Sequence, residues 1–213
     1  MSNDILGQIV RKLVTLSPET HGVLIDLLTN LNDYQWVVAT KRFLRKEQQW
    51  PVEIKLWERI SDREIRVNLD ACPKLPFDDA KIEWNKGSGW ITVERRGDDL
   101  YVDDKKVLFH LVDGQKTGNV QGYGLCAQLK SQLTLHSNVL DALFENIKLI
   151  PESWKVDEYG RTRFIPFWAV GFCGLDGGLF VRVLYWRDNV WHHNHCWLGL
   201  RLDDRYPAAV LDS

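Results

Sequence analysis

The chain has 213 residues, of which 45% are hydrophobic and 26% are charged, and its formal net charge is -2. This composition is typical of a folded globular protein and excludes collagen-like, coiled-coil and disordered chains. Because the net charge is close to zero, no overall field draws the chain to nucleic acid or to an anionic membrane, and neither is expected as a partner.

The first part of the chain, residues 1–50, predicts a helical unit. Apolar residues recur at helical spacing within residues 2–16, and Pro18 is typical of the first position of a second helix. A third helix is predicted over 32–50, where a capping sequence precedes an apolar face. We therefore expect three short helices before any strand.

The rest of the chain predicts three further segments. Residues 51–121 alternate polar with β-branched or aromatic residues between turn sequences, which indicates an antiparallel β unit. Residues 122–155 have helical patterns that predict a helical connector, and the patterns of residues 156–213 predict a return to strands in a Trp-rich β-meander. The predicted fold class is α+β, because helices and strands occupy separate stretches.

The C-terminal segment contains three strand-like stretches, "RFIPFWAVGFC", "LFVRVLYWR" and "VWHHNHCWL", which predict a three-stranded antiparallel meander. A two-residue turn at 188–189 would pair Trp186 with Trp191 and Arg182 with His195. A four-residue loop before the second strand would place Ala169 beside Arg182, as the floor of a shallow cleft.

This register brings basic and aromatic side chains to one face of the sheet. Guanidinium and imidazole groups beside flat rings suit an anionic group on a planar or sugar-like body, or a protein partner. We therefore predict a binding protein with no catalytic residue and no cofactor. Its predicted ligand-binding residues are Arg182, Trp186, Trp191, His193, His195 and Trp197.

Two different interpretations of the same face stay open. A helix from residues 122–150 would cover the face, leaving Arg182 in a salt bridge and the histidines at its rim. Alternatively, His193 and His195 form an H-x-H pair that would lie on one side of a strand, as metal ligands require. The pair lacks an adjacent third ligand, so no metal site is predicted.

Two further functions, each from a different class of protein, are also compatible with the sequence. The predicted basic helix 33–47, which contains the stretch "KRFLRK" at 41–46, follows two predicted helices, and this is compatible with a DNA-binding regulator. Cys126 lies near a possible helix N-terminus, where a thiolate would be stabilised, and His110 or His136 would be its base. Together with the H-x-H pair, this cysteine makes a metal- or cysteine-dependent enzyme the second alternative function. Acidic pairs such as Asp78-Asp79 are interpreted as turns.

The chain is expected to be cytoplasmic. Its first ten residues lack the basic and apolar pattern of a secretory signal, and no apolar run approaches the ~20 residues of a membrane span. We expect reduced thiols at the four cysteines, which include no C-x-x-C pair: Cys72, Cys126, Cys173 and Cys196.

The stretches "NVLDALFENIKLIPESWK", "GGLFVRVLYWRDNVW" and "YPAAVL" resemble a recurring C-terminal segment of uncharacterised bacterial proteins, and "FLRKE" at 43–47 resembles an N-terminal block. In those proteins a short helix, an "LIPxxW" exit and a Trp-rich strand pair occur together. The resemblance implies modular assembly with a variable middle part. It carries no known activity, and it favours binding over catalysis because none of its motifs places a reactive group.

Overall fold

The computed structural model describes residue 15 and residues 18–30, 33–45 and 54–212. The chain divides into two units, Met1–Ile54 and Lys55–Ser213. Five α-helices and twelve strands lie in the described residues, and all paired strands are antiparallel. The predicted α+β class is confirmed. No helix in the described ranges is long and apolar enough to span a membrane.

The first unit contains helices α1 (Pro18–Asn30) and α2 (Tyr34–Leu44). The predicted start at Pro18 is confirmed, since the proline ring fixes a helical φ where no amide donor is needed. The side chain of Asp33 caps α2 by accepting a hydrogen bond from the Gln35 amide at 2.7 Å. The predicted helix at 2–16 lies outside the described residues, apart from Thr15, a turn residue. The predicted third helix continued to residue 50, whereas Arg45 is a turn residue directly after α2 and residues 46–50 lie outside the described residues.

The second unit contains a six-stranded and a four-stranded sheet. The six-stranded sheet, sheet A, has the order β1-β2-β4-β5-β6-β12. Its strands are β1 (Trp57–Arg59), β2 (Glu64–Asn68), β4 (Trp90–Arg96), β5 (Asp99–Val102), β6 (Lys105–His110) and β12 (Ala208–Leu211). The four-stranded sheet, sheet B, has the order β10-β9-β8-β3. Its strands are β3 (Lys81–Asn85), β8 (Phe164–Cys173), β9 (Leu179–Arg187) and β10 (Val190–Trp197).

The predicted central segment (51–121) and C-terminal segment (156–213) each contribute one strand to the sheet that consists mainly of strands from the other. β3 comes from the central segment but pairs with β8 in sheet B, whereas β12 comes from the end of the chain and pairs with β6 in sheet A. A small third sheet pairs β7 (Val120–Gln121) with β11 (Arg201–Leu202). The central and C-terminal segments therefore fold as interleaved parts of the second unit.

Three helices pack between and around these sheets: α3 (Asp113–Thr117), α4 (Gly122–Gln128) and α5 (Ser137–Glu145). Two apolar clusters result. One joins α5 to the inner face of sheet A and to the side of sheet B that carries Phe167 and Leu184. The other packs α4 on the opposite side of sheet B, around Val181 and Leu198. Both faces of sheet B are thus covered along most of their length.

The hairpin between β9 and β10 has the predicted register. Trp186 lies opposite Trp191 and Arg182 lies opposite His195. Asp188 and Asn189 have φ values of 51° and 60°, as a two-residue turn with positive φ at both positions requires. The local turn chemistry therefore fixed this pairing, and the three-stranded meander is confirmed as part of the larger sheet B.

The register predicted for β8 is wrong. Phe167, and not Ala169, lies opposite Arg182, and an irregularity in β8 separates this pair from the Phe172–Phe180 pair. The loop is also one residue longer than predicted, because Cys173 pairs directly with Leu179. The Trp84 ring occupies the space beside Gly171, where an added Cβ would lie 2.2 Å from its carbons. The floor of small residues is therefore absent.

Candidate binding groove

Arg182, the centre of the predicted anion cleft, lies under α5. Its Nη1 donates to both carboxylate oxygens of Asp141 at 2.7 Å, and both side chains are 3% exposed. The guanidinium is neutralised by this partner and is shielded from solvent. The structure therefore shows Arg182 beneath a covering helix, which is one of the two interpretations that the sequence left open.

The two histidines of the H-x-H pair lie near the rim of this packing. The ring of His193 contacts that of Phe144, with centroids 4.6 Å apart, and its Nδ1 accepts a hydrogen bond from Arg182 at 3.3 Å. Burial, followed by the charge of Arg182, lowers the pKa of His193, and burial lowers the pKa of His195. No group of three potential ligands for a metal ion occurs in the described residues.

The three predicted tryptophans differ in exposure. Trp191 is 8% exposed and belongs to the core, and the half-buried Trp186 packs edge-on against it. The ammonium of Lys155 lies 3.9 Å from the Trp186 ring centroid. Trp197 is 45% exposed at the far end of β10. Trp197 is therefore the exposed member of the three predicted tryptophans, whereas Trp186 and Trp191 pack against each other.

Acrylamide quenching is expected to distinguish these tryptophans. Because Trp197 is exposed and Trp191 is packed, Trp197→Phe should remove more quenchable emission than Trp191→Phe. The measurement is the quenching constant of each variant against that of the unchanged protein. Equal losses from the two substitutions would contradict this placement of the β10 side chains.

Next to Trp197, at the end of β9 and β10, the surface has a shallow groove of about 440 Å³. Its apolar part is a trio of rings from Phe77, Phe180 and His195. The centroid of Phe77 lies 5.1 Å from each of the other two, which are 5.5 Å apart, and all contacts are edge-to-face. The indole nitrogen of Trp197 lies beside Gly178 in the adjoining loop.

The polar part of the groove is acidic. The lining includes Asp78, Asp79 and Asp176, which are exposed, and it includes no lysine or arginine. Oδ1 of Asp176 accepts a hydrogen bond from the Gly178 amide at 2.9 Å, which holds this carboxylate within its turn. No ion pair joins these three aspartates to a basic side chain of residues 54–212. The groove therefore presents aromatic rings together with carboxylates that form no ion pair within residues 54–212.

The structure also locates the residues on which a cysteine-dependent enzyme or a DNA-binding regulator would depend. Cys126 lies beyond the first turn of α4 (Gly122–Gln128), so the prediction that it lies at a helix N-terminus is wrong, and burial raises the pKa of its thiol. Both ring nitrogens of His136 are engaged in hydrogen bonds, with the Asn85 side chain and the Asn138 amide, so His136 is not free to act as a base. In the first unit, Lys41 and Arg42 are exposed on α2, and DNA binding stays a prediction.

Of the predicted ligand-binding residues, His195 lines the groove and Trp197 lies beside the adjoining loop, whereas sequence reasoning missed Phe77 and the three aspartates. Asp78-Asp79 was interpreted as a turn, and Asp79 does have a turn conformation with φ 65°. No local signal shows that this turn meets the loop of Asp176, since the two stretches are about a hundred residues apart in sequence. Only the pairing of β3 with β8 brings them together.

Comparison with known proteins assigns no family. The chain matches no protein-family model, no curated protein and no solved structure. The candidate site is therefore defined by its own geometry.

Proposed function

We propose that this chain is a binding protein that holds a cationic side chain of a protein partner in the groove. The observation that carries the proposal is the joint lining of the groove by three exposed carboxylates and an aromatic trio. Carboxylates attract a cation, and ring faces or edges pack against its apolar stem. An arginine side chain satisfies both, because its planar guanidinium also forms paired hydrogen bonds with carboxylates.

The acidic lining favours a cationic partner over the anionic ligand that the sequence suggested. Arg182 is the basic group on which that expectation depended, and its charge is balanced by Asp141 in the interior. The groove is also shallow, so it suits one side chain of a larger partner better than an enclosed small molecule. The predicted partner was either another protein or a small anionic or sugar-like ligand, and we therefore propose that it is another protein.

The proposal is tested with a short labelled peptide of alternating arginine and valine, titrated with the full chain and followed by fluorescence anisotropy. A twin peptide with glutamate in place of arginine is the control for charge. We expect binding of the arginine peptide alone, weakened by added salt because the groove carboxylates are exposed. Equal binding of the two peptides would contradict the proposal.

Removal of two groove charges should weaken this binding. The double variant Asp78→Asn/Asp79→Asn is expected to lower the affinity by about fivefold, which is about 1 kcal/mol for contacts at an exposed site. Asparagine tolerates the positive φ of Asp79, so the turn is retained. The matched control is Asp188→Asn, which removes an exposed carboxylate at the opposite end of the same hairpin. An equal loss of affinity in Asp188→Asn would show that the effect comes from the overall charge of the protein and not from the groove.

A further inference from the structure

β10 is an edge strand of sheet B, and it ends beside the groove. Its inner side pairs with β9 over its whole length, and no described strand pairs with its outer side. His193, Asn194 and Trp197 are exposed along it. Natural edge strands are commonly protected by lysine, proline or a bulge, and β10 has neither residue type and a regular register with β9.

The direction of the backbone groups of β10 follows from its turn. Residues that flank a two-residue hairpin turn form a hydrogen-bonded pair, so the pattern from Val190 onward alternates inward and outward. The Leu198 amide donates to the Leu179 carbonyl at 2.8 Å, which agrees with this alternation. The backbone amides and carbonyls of Trp191, His193 and His195 therefore point away from β9.

We infer that an extended segment of the protein partner adds to β10 as a fifth, antiparallel strand of sheet B and places its alternate basic side chains on the groove side. This inference rests on the proposed function and adds the conformation of the ligand. A residue opposite His195 in such a pair has its side chain on the same face as His195, which lines the groove. The carboxylates thus complement the charge of the added strand.

One side chain already occupies part of this edge. The outward amide of His195 donates to Oδ1 of the exposed Asn194 at 2.8 Å. This bond protects the edge in the free protein, and a carbonyl of the added strand would replace it. We therefore expect Asn194→Ala to bind the arginine-valine peptide at least as tightly as the unchanged protein.

The inference is tested by N-methylation of the arginine-valine peptide, which removes chosen amide donors and changes no charge. In an antiparallel strand, the residues that face the groove are those whose amides point to β10. Methylation at the arginines should therefore lower the affinity at least tenfold. Methylation at the valines affects amides that point to solvent and should change it by less than twofold. The two peptides have the same composition, so each is the control for the other.

The outcomes separate the two proposals. If the unmodified peptide binds and both methylated peptides bind equally well, the strand addition is wrong and the groove alone holds the side chain. If methylation at the valines is the more harmful, the antiparallel arrangement is likewise overturned. If the unmodified peptide fails to bind, the proposed function itself fails, and the strand addition that rests on it fails too.

Discussion

The substitution Asp141→Asn is expected to lower the free energy of unfolding by about 3–5 kcal/mol, because it leaves Arg182 as an uncompensated buried charge. Both side chains are 3% exposed, and the two hydrogen bonds from Nη1 of Arg182 are 2.7 Å long. Asparagine keeps the shape of the side chain but removes its charge. Urea denaturation followed by tryptophan fluorescence measures the change.

Two controls separate the buried charge from other effects. The double variant Asp141→Leu/Arg182→Met removes both charges and should recover most of the loss, since apolar replacements for a buried ion pair are often neutral. Asp113→Asn removes an exposed carboxylate that pairs with Lys116, and it should change stability by less than ~1 kcal/mol. A double variant less stable than Asp141→Asn would contradict the explanation.

The second large effect concerns His136, which precedes α5 and is 3% exposed. Its Nδ1 accepts a hydrogen bond from the Asn138 amide at 3.0 Å, so in the neutral ring the proton is on Nε2. Nε2 donates a hydrogen bond to Oδ1 of Asn85 at 2.7 Å. Burial lowers its pKa to about 4. The folded protein therefore holds a neutral imidazole that links the start of α5 to the end of β3.

This pKa predicts a loss of stability in mild acid. The unfolded chain takes up the proton near pH 6.5, the ordinary histidine pKa, whereas the folded protein does so only near pH 4. The contribution of His136 is constant above about pH 6.5, decreases as the pH falls towards 4, and changes little below that. Over this window the loss amounts to about 3 kcal/mol.

The matched variant is His136→Asn, because asparagine also accepts a hydrogen bond at a helix N-cap and does not titrate. We expect it to be less stable at pH 7, where the bond to Asn85 is lost, but to depend less on pH between 6.5 and 4. Urea denaturation across this range measures both quantities. His193 and His195 are present in both proteins, so the difference isolates His136. Parallel stability profiles would contradict the assignment.

The candidate site was predictable only in part. The positions of His195 and Trp197 on one face of β10 followed from a turn and from the alternation of side chains, which are local properties. The exposure of that face was not predictable, because it depends on where α5 packs. The groove itself needs Phe77, which contacts His195 across more than a hundred residues of sequence.

Three features depend mainly on neighbouring residues and followed from the sequence alone: the α+β class, the start of α1 at Pro18 and the β9–β10 register. Hydrogen bonds, turn angles and side-chain periods act over a few residues, so a short stretch specifies them. Three other features became visible only in the folded chain: the place of β3 in sheet B, the irregular register of β8 and the burial of Arg182 under α5. These depend on apolar burial and ion pairing between distant segments, which no local pattern encodes.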